Sequence, residues 1–392
     1  MRPAARVAAA IAVLERWQHE RAGLDRVLAA WGRENRFAGA KDRRAIADLA
    51  YDAVRRWRSA CWVAGGDEGP RAAVIGSLRL DEIDPATLFT GEGHAPPPLT
   101  ASEASARPLS AAPRAVGLDL PDWLMPELAD VPDAALLLLR RRAPVDLRVN
   151  LLKTDPASAR ARLAAEGIAV EPGPLSPTCL RVTGGARRVG ASGAYAEGLV
   201  ELQDAASQAV AERAGAQPGE TVLDFCAGGG GKTLALAAAM GNRGRLIAHD
   251  ASPARLEQLC PRARRAGARV EVLEPGGWSA LEAAADLTLV DAPCSGSGAW
   301  RRNPDARWRL DPARLEELLA LQDRVLGEAA TTVRPGGRLV YATCSLIRRE
   351  NDGRMRRFLD RHPWFSPSGS ALALTPLDGG DGFYASVLTR QY

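Results

Sequence analysis

Asp224-Phe225-Cys226-Ala227-Gly228-Gly229-Gly230-Gly231-Lys232-Thr233 decides how this chain is read. The apolar run Thr221–Phe225 leading into it predicts a strand, and Lys232–Met240 after it predicts a helix. Four consecutive glycines let the backbone approach a ligand and expose the N–H groups of the helix's first turn. Two phosphate-binding loops fail the comparison. A P-loop needs glycine where Cys226 stands, and a GxGxxG dinucleotide loop needs its last glycine where Lys232 stands. Downstream, strand patterns at Arg245–His249, Leu287–Val290 and Arg338–Ala342 alternate with helical patterns at Pro253–Ala266, Asp311–Val333 and Asn351–Arg361. A last strand, Gly382–Thr389, is expected near the sheet edge. Such alternation predicts an α/β class with a doubly wound sheet. Asp250 ends the second strand, about 20 residues beyond the glycine loop, where an acid can meet the two hydroxyls of a ribose. It also suits a capping role ahead of Pro253. Loop and acid together predict an adenosine-containing cofactor at the carboxyl ends of the strands.

Upstream of this block the chain changes character. Its 392 residues predict two or three domains, and 46% apolar with 25% charged residues excludes a disordered, collagenous or disulfide-scaffold chain. No run of eighteen apolar residues predicts a membrane span. Val7–Leu14 follows Arg2 and Arg6 but runs into Glu15-Arg16 without a cleavage site, so a cytoplasmic protein with reduced thiols is expected. Residues 1–80 read as helical: Ala8, Ile11, Leu14 and Trp17 recur at helical spacing, as do Leu24, Val27, Leu28 and Trp31. Asp42 is the expected cap of a third helix carrying Ile46, Leu49, Val54 and Trp57. The prolines of 81–120 predict a linker. Residues 121–200 read as a small α+β unit with strands at Asp146–Leu152 and Leu180–Val182 around a helix at Ala157–Glu166. Net charge is only +4, which excludes an overall polycation, although Arg140-Arg141-Arg142, Arg148 and Arg187-Arg188 make the small unit locally basic. Lysine is scarce: Lys41, Lys153 and Lys232 leave 48 of 51 basic residues as arginine. Base composition accounts for that bias, and it singles out Lys232 as a place where arginine will not serve.

Two of six cysteines fall where an open α/β sheet puts its ligands. Asp291-Ala292-Pro293-Cys294 follows one strand, and Tyr341-Ala342-Thr343-Cys344-Ser345 ends another. Cys61, Cys179 and Cys260 read as small buried hydrophobes. No CxxC or Cys/His spacing predicts a metal. None of His19, His94, His249 and His362 stands in an obvious partner context, which argues against a papain-type dyad.

DFCAGGGGKT, DAPCSGSGAWRRNPDARW and YATCS with Glu350-Asn351 resemble, in order and spacing, the bacterial 16S rRNA cytosine-C5 methyltransferases that carry a NusB-like helical domain. The resemblance implies a Rossmann-like methyltransferase sheet at 201–392, a small α+β RNA-binding subdomain at 121–200, and an apparently shortened all-α NusB-like domain with its linker at 1–120. It implies S-adenosylmethionine as cofactor, RNA (16S rRNA or a small-subunit assembly intermediate) as partner, no metal and no membrane; a monomer is expected. In the family pattern Cys344 adds to cytosine C6, Cys294 helps release the product, Asp291 faces the N3/N4 edge, and Lys232 orients Asp291 or the base. Cofactor contacts carry over to Cys226, Ala227, Gly228, Gly229, Gly230, Gly231, Lys232, Asp250, Arg255 and Asp291. Glu274 is the one candidate for the adenine-binding acid, because the family's GDG-like turn is missing. Gly228-Gly229 also stand where the family has Ala-Pro. Arg301, Arg302, Asp305 and Trp308, in an RRxPDxxW pattern, are expected to contact phosphates and stack on bases. A tRNA cytosine-C5 methyltransferase and a non-catalytic RNA-binding assembly factor are the alternatives; retention of both cysteines argues against the second.

Overall fold

The structure is a computed structural model that describes residues 1–65 and 67–392. By their contacts these form two compact units, Met1–Arg142 with Trp300–Asp311, and Ala143–Ala299 with Pro312–Tyr392. No helix among the described residues is long and apolar enough to cross a membrane.

The first unit is helical. Its principal helices are Pro3–Glu20, Leu24–Glu34, Ala40–Arg55, Trp57–Val63 and Pro70–Leu80. Leu14, Trp17, Leu24, Val27, Ile46, Val54 and Trp57 bury one face of the first four, and Trp17 meets Trp57 edge-on at 5.5 Å. Asp42 is not a cap. It lies in the first turn of Ala40–Arg55, where Gly39 is the capping residue, and accepts from Arg6 Nε at 2.8 Å. The proline-rich stretch is not a free linker either. Phe89, Leu118 and Leu120 are buried, Arg71 pairs with Glu103, and Trp62 Nε1 donates to Pro108 O. By contacts the first unit extends to Arg142.

The second unit carries two sheets. The smaller holds β1 (Asp146–Val149), β2 (Ala169–Pro172), β3 (Cys179–Gly184) and β4 (Val200–Leu202) in the order β2-β3-β1-β4, all pairs antiparallel. The helix Pro156–Ala165, capped by Asp155, packs Ala159 and Leu163 with Leu147, Val149 and Leu180. The larger sheet contains β5 (Thr221–Asp224), β6 (Arg245–Ala248), β7 (Glu271–Val272), β8 (Ala285–Asp291), β9 (Val333–Thr343), β10 (Phe365–Pro367), β11 (Leu372–Leu374) and β12 (Phe383–Arg390). Its order is β10-β12-β9-β8-β5-β6-β7, with β11 paired to β12. The strands β7, β6, β5, β8 and β9 run parallel, and β12 is antiparallel to β9. Apolar runs such as Leu287–Val290 and Leu339–Ala342 suit strands covered on both faces.

Close backbone approach fixes the loop after β8. Gly298 N donates to Cys344 O and Gly382 N to Gly298 O, each at 3.0 Å. A Cβ on Gly298 would lie 2.0 Å from Gly382 O, which no side chain can relieve. Gly298→Ala is expected to destabilise the chain by about 1–3 kcal/mol, read as a lower urea midpoint. An unchanged midpoint would contradict this contact.

Candidate active site

The glycine loop springs from β5 and feeds the helix Gly231–Met240. Gly228 and Gly230 have φ of +53° and +83°, the left-handed region that glycine tolerates. At Gly230 a Cβ would also lie 2.1 Å from Leu259 Cδ1. Asp250 is buried and braces the loop: Oδ2 accepts from Gly228 N at 2.9 Å and Oδ1 from Ser252 N at 2.8 Å. Arg262 donates to Gly229 O. Arg255 is exposed in the short helix Pro253–Leu256, and Glu274 is exposed two residues past β7. Both lie beyond the carboxyl ends of neighbouring strands, as does the loop.

Sequence reasoning passed over Asp224, the last residue of β5. Its Oδ2 accepts from Thr233 Oγ1 at 2.6 Å, and its Oδ1 is buried without a hydrogen-bond partner among the described residues. Burial pushes this carboxyl up to about 7, against the Thr233 hydrogen bond and Lys232, with nearby Asp291 adding to the rise. The available signal was an acid on the final strand position before a glycine loop.

Strands β8 and β9 bring the two motif cysteines together. Asp291 stands opposite Ala342, and Ala292 N donates to Ala342 O at 2.8 Å, so both chains leave the sheet side by side. Cys294 Sγ and Cys344 Sγ are 3.5 Å apart. Lys232 Nζ donates to Asp291 Oδ2 at 2.7 Å and lies 4.9 Å from the centre of the Phe383 ring. Burial pulls the Lys232 ammonium down, but the charge and hydrogen bond of Asp291, with Cys344, more than offset it, leaving the pKa raised. Cys294 is pushed well above the ordinary thiol value by its hydrogen bond to Cys344, by burial, and by the charges of Cys344 and Glu350. Cys294 therefore holds its proton more tightly than an ordinary thiol.

The remaining expectations divide. Lys232, Asp291, Cys294 and Cys344 converge, and Cys226 to Gly231 with Asp250 form the adjoining cradle. Cys61 and Cys179 are buried thiols pushed up to about 12 by burial, whereas Cys260 is exposed, contrary to the buried-hydrophobe reading. In the RRxPDxxW segment the RNA-contact reading is corrected at Arg301 and Asp305. Arg301 and Asp305 are buried in the helical unit. Arg55 Nε donates to Arg301 O, Leu24 N to Asp305 Oδ2, and Trp308 Nε1 to Val54 O at 2.9 Å. Burial withdraws Arg301 and Asp305 from phosphate contact, whereas Trp308 is half-buried. Arg302 is half-buried.

A doubly wound sheet in this strand order, with a glycine loop after β5 and polar side chains at the carboxyl strand ends, is a Rossmann-like methyltransferase fold. Residues 214–386 match the model of the 16S rRNA methyltransferase RsmB/F family, and residues 120–187 match the ferredoxin-like domain of RsmF/B-like methyltransferases. The chain belongs to the RsmB/F family. It is 35% identical over 275 residues to the "Probable ribosomal RNA small subunit methyltransferase B" of Synechocystis sp., a match covering 65% of this chain and 61% of that protein. It is 36% identical over 253 residues to the ribosomal RNA small subunit methyltransferase B of Xanthomonas campestris pv. campestris, covering 62% and 57%. The match thus spans about three fifths of each relative's length. The crystal structure of PH0851 superposes with a TM-score of 0.77 at 25% identity, covering 99% of both chains.

Because Cys294 holds its proton, iodoacetamide at mildly alkaline pH should alkylate Cys344 about tenfold faster, with exposed Cys260 as internal reference. Peptide mass spectrometry reads the order. Faster labelling of Cys294 would contradict the electrostatic assignment.

Proposed function

We propose that this chain transfers a methyl group from S-adenosylmethionine to C5 of a cytosine in small-subunit rRNA. The observation that carries the reading is the 3.5 Å contact between Cys294 and Cys344 beside the Lys232–Asp291 pair. A binding module needs neither thiol. Membership of a 16S rRNA methyltransferase family supports RNA as the substrate class.

The cradle fits the cofactor. A Cβ on Gly228 would meet no atom within 4 Å, so the loop faces open space at that residue, and the helix Gly231–Met240 directs its first N–H groups toward this end of the sheet. The unpaired Asp224 Oδ1 offers a buried acceptor for an amino group, and Asp250, Arg255 and Glu274 offer polar contacts for the adenosine. When bound, S-adenosylmethionine supplies the electrophilic methyl group that C5 takes up.

The protein's own residues do the rest. Cytosine C5 is a poor nucleophile until a thiolate adds to C6. The Cys344 sulfur forms the S–C6 bond with its own electron pair, and the C5=C6 π pair becomes available at C5. Asp291, held by Lys232, faces the N3/N4 edge and orients the ring. Once Cys344 is bonded to carbon its negative charge is gone, which removes a principal cause of the Cys294 elevation. Cys294 can then give its proton to water and take the C5 proton. The C–H pair restores the C5=C6 bond as the S–C6 bond breaks, and Cys344 departs as thiolate. The target base must leave its stack or already stand in a loop to be reached.

Cys344→Ala should abolish incorporation of labelled methyl into undermethylated 16S rRNA, with RNA binding retained. Cys294→Ala should instead accumulate a covalent protein–RNA species on denaturing gels, and normal turnover by it would refute the release role. Bisulfite sequencing of rRNA and tRNA from a deletion strain separates the substrates: loss confined to tRNA would favour a tRNA enzyme. No transfer by the wild-type chain despite intact RNA binding would favour an assembly factor.

A further inference from the structure

Glu350 takes no part in the chemistry above, yet its carboxylate is completely buried in the short turn Arg348–Glu350. Oε1 accepts from Ser295 N at 2.8 Å and from Gln322 Nε2 at 3.0 Å. Oε2 accepts from the hydroxyls of Ser295 and Ser345. Gln322 also donates to Pro293 O at 2.9 Å. Ser295 follows Cys294, and Ser345 follows Cys344. One carboxylate therefore holds the residue next to each cysteine, and its helper holds the residue before Cys294.

The chemistry of the group limits what it can do. A carboxylate has about four lone-pair sites, and four donors already fill them. It has no capacity left for a substrate proton or a base edge. Its surroundings are otherwise committed as well: Tyr341 OH donates to Glu350 O at 2.7 Å, and Asn351 Nδ2 to Ser345 O at 2.9 Å. An acid sealed between two serine hydroxyls, a backbone N–H and an amide is costly to bury unless its place matters.

We propose that Glu350 is a positioning residue that clamps the loops after β8 and β9, holding the Cys294 S–H against the Cys344 sulfur. Its negative charge also helps keep the Cys294 proton in place. The consequence for methyl transfer rests on the function proposed above; the consequence for the two thiols does not.

Glu350→Gln tests both. The amide puts an NH2 either where two serine hydroxyls donate or where a backbone N–H and the Gln322 amide donate, and it removes the charge. In the full-length chain, the Cys344-to-Cys294 alkylation preference should fall from about tenfold to within about threefold, with Cys260 labelling unchanged. The kcat for rRNA methylation should fall about 10²-fold, while KM for RNA and the affinity for S-adenosylmethionine stay within about threefold. Glu350→Asp, which keeps the carboxylate, should recover part of both. If Glu350→Gln loses its fold, shown by altered Cys260 labelling, Ser345→Ala removes one donor and should shift the preference the same way by less. An unchanged alkylation preference in the folded variant overturns the proposal. A wild-type chain that transfers no methyl overturns the methyltransferase reading instead, and the alkylation result still decides the role of Glu350.

Discussion

The parallel pairing of β8 with β9, Asp291 opposite Ala342, is the constraint on which the site depends. A one-residue slip would turn every side chain of one strand to the other face of the sheet and separate the sulfurs. With the register as it is, both strands end level and each passes into a polar turn with a cysteine. Glu350 and the Gly298–Gly382 approach then hold those turns together where no regular structure remains. The next strand over, β5, ends in the glycine loop, so the loop and the cysteine turns share one edge of the sheet. Nothing in this arrangement needs the cysteines to be near in sequence; fifty residues of chain separate them.

The raised pKa of the Cys294 thiol follows from its hydrogen bond to Cys344, from burial and from neighbouring charge. Two sulfurs in contact cannot both ionise cheaply in a poorly solvated pocket. Cys294 is hydrogen-bonded to Cys344 and lies near the Glu350 charge, and both hold its proton in place. Lys232 is held by Asp291, and the charges of Asp291 and Cys344 raise its own pKa. The scarcity of lysine takes on meaning at this point. Lys232 places a compact ammonium between a carboxylate and the Phe383 ring, and Lys153 places one between the carbonyls of Glu197 and Arg265, at 2.7 and 2.6 Å. A planar guanidinium is a poor replacement in the confined Lys232 position.

Much of the second unit was legible because its signals are local. The strand before the glycines, the acid after the next strand and the two cysteine turns all mark the same sheet edge in sequence. Strands β2, β4, β7, β10 and β11 were not foreseen: each has two to four residues, too few for alternation to register. Asp42 was misread because a residue in the first helical turn and a cap look alike in sequence, one position pattern serving both. The segment 300–311 misled for a deeper reason. Arginines and tryptophans that pack inside a helical unit have the same composition as those that meet RNA; Arg307, wholly buried between Trp300 and Trp308, shows how the residues are used here. The role proposed for Glu350 was illegible for want of the third dimension, since its four donors come from three separate stretches of chain.

In the proposed reaction Cys344, and not Cys294, forms the bond to the base. The direct measurement uses wild-type chain, S-adenosylmethionine and substrate RNA carrying 5-fluorocytosine, whose C5 fluorine cannot be taken away as a proton, so the adduct persists. After nuclease and protease digestion, tandem mass spectrometry should find the pyrimidine on the peptide containing Cys344. A modification on Cys294, or no covalent species while methyl transfer to ordinary RNA proceeds, would contradict the account.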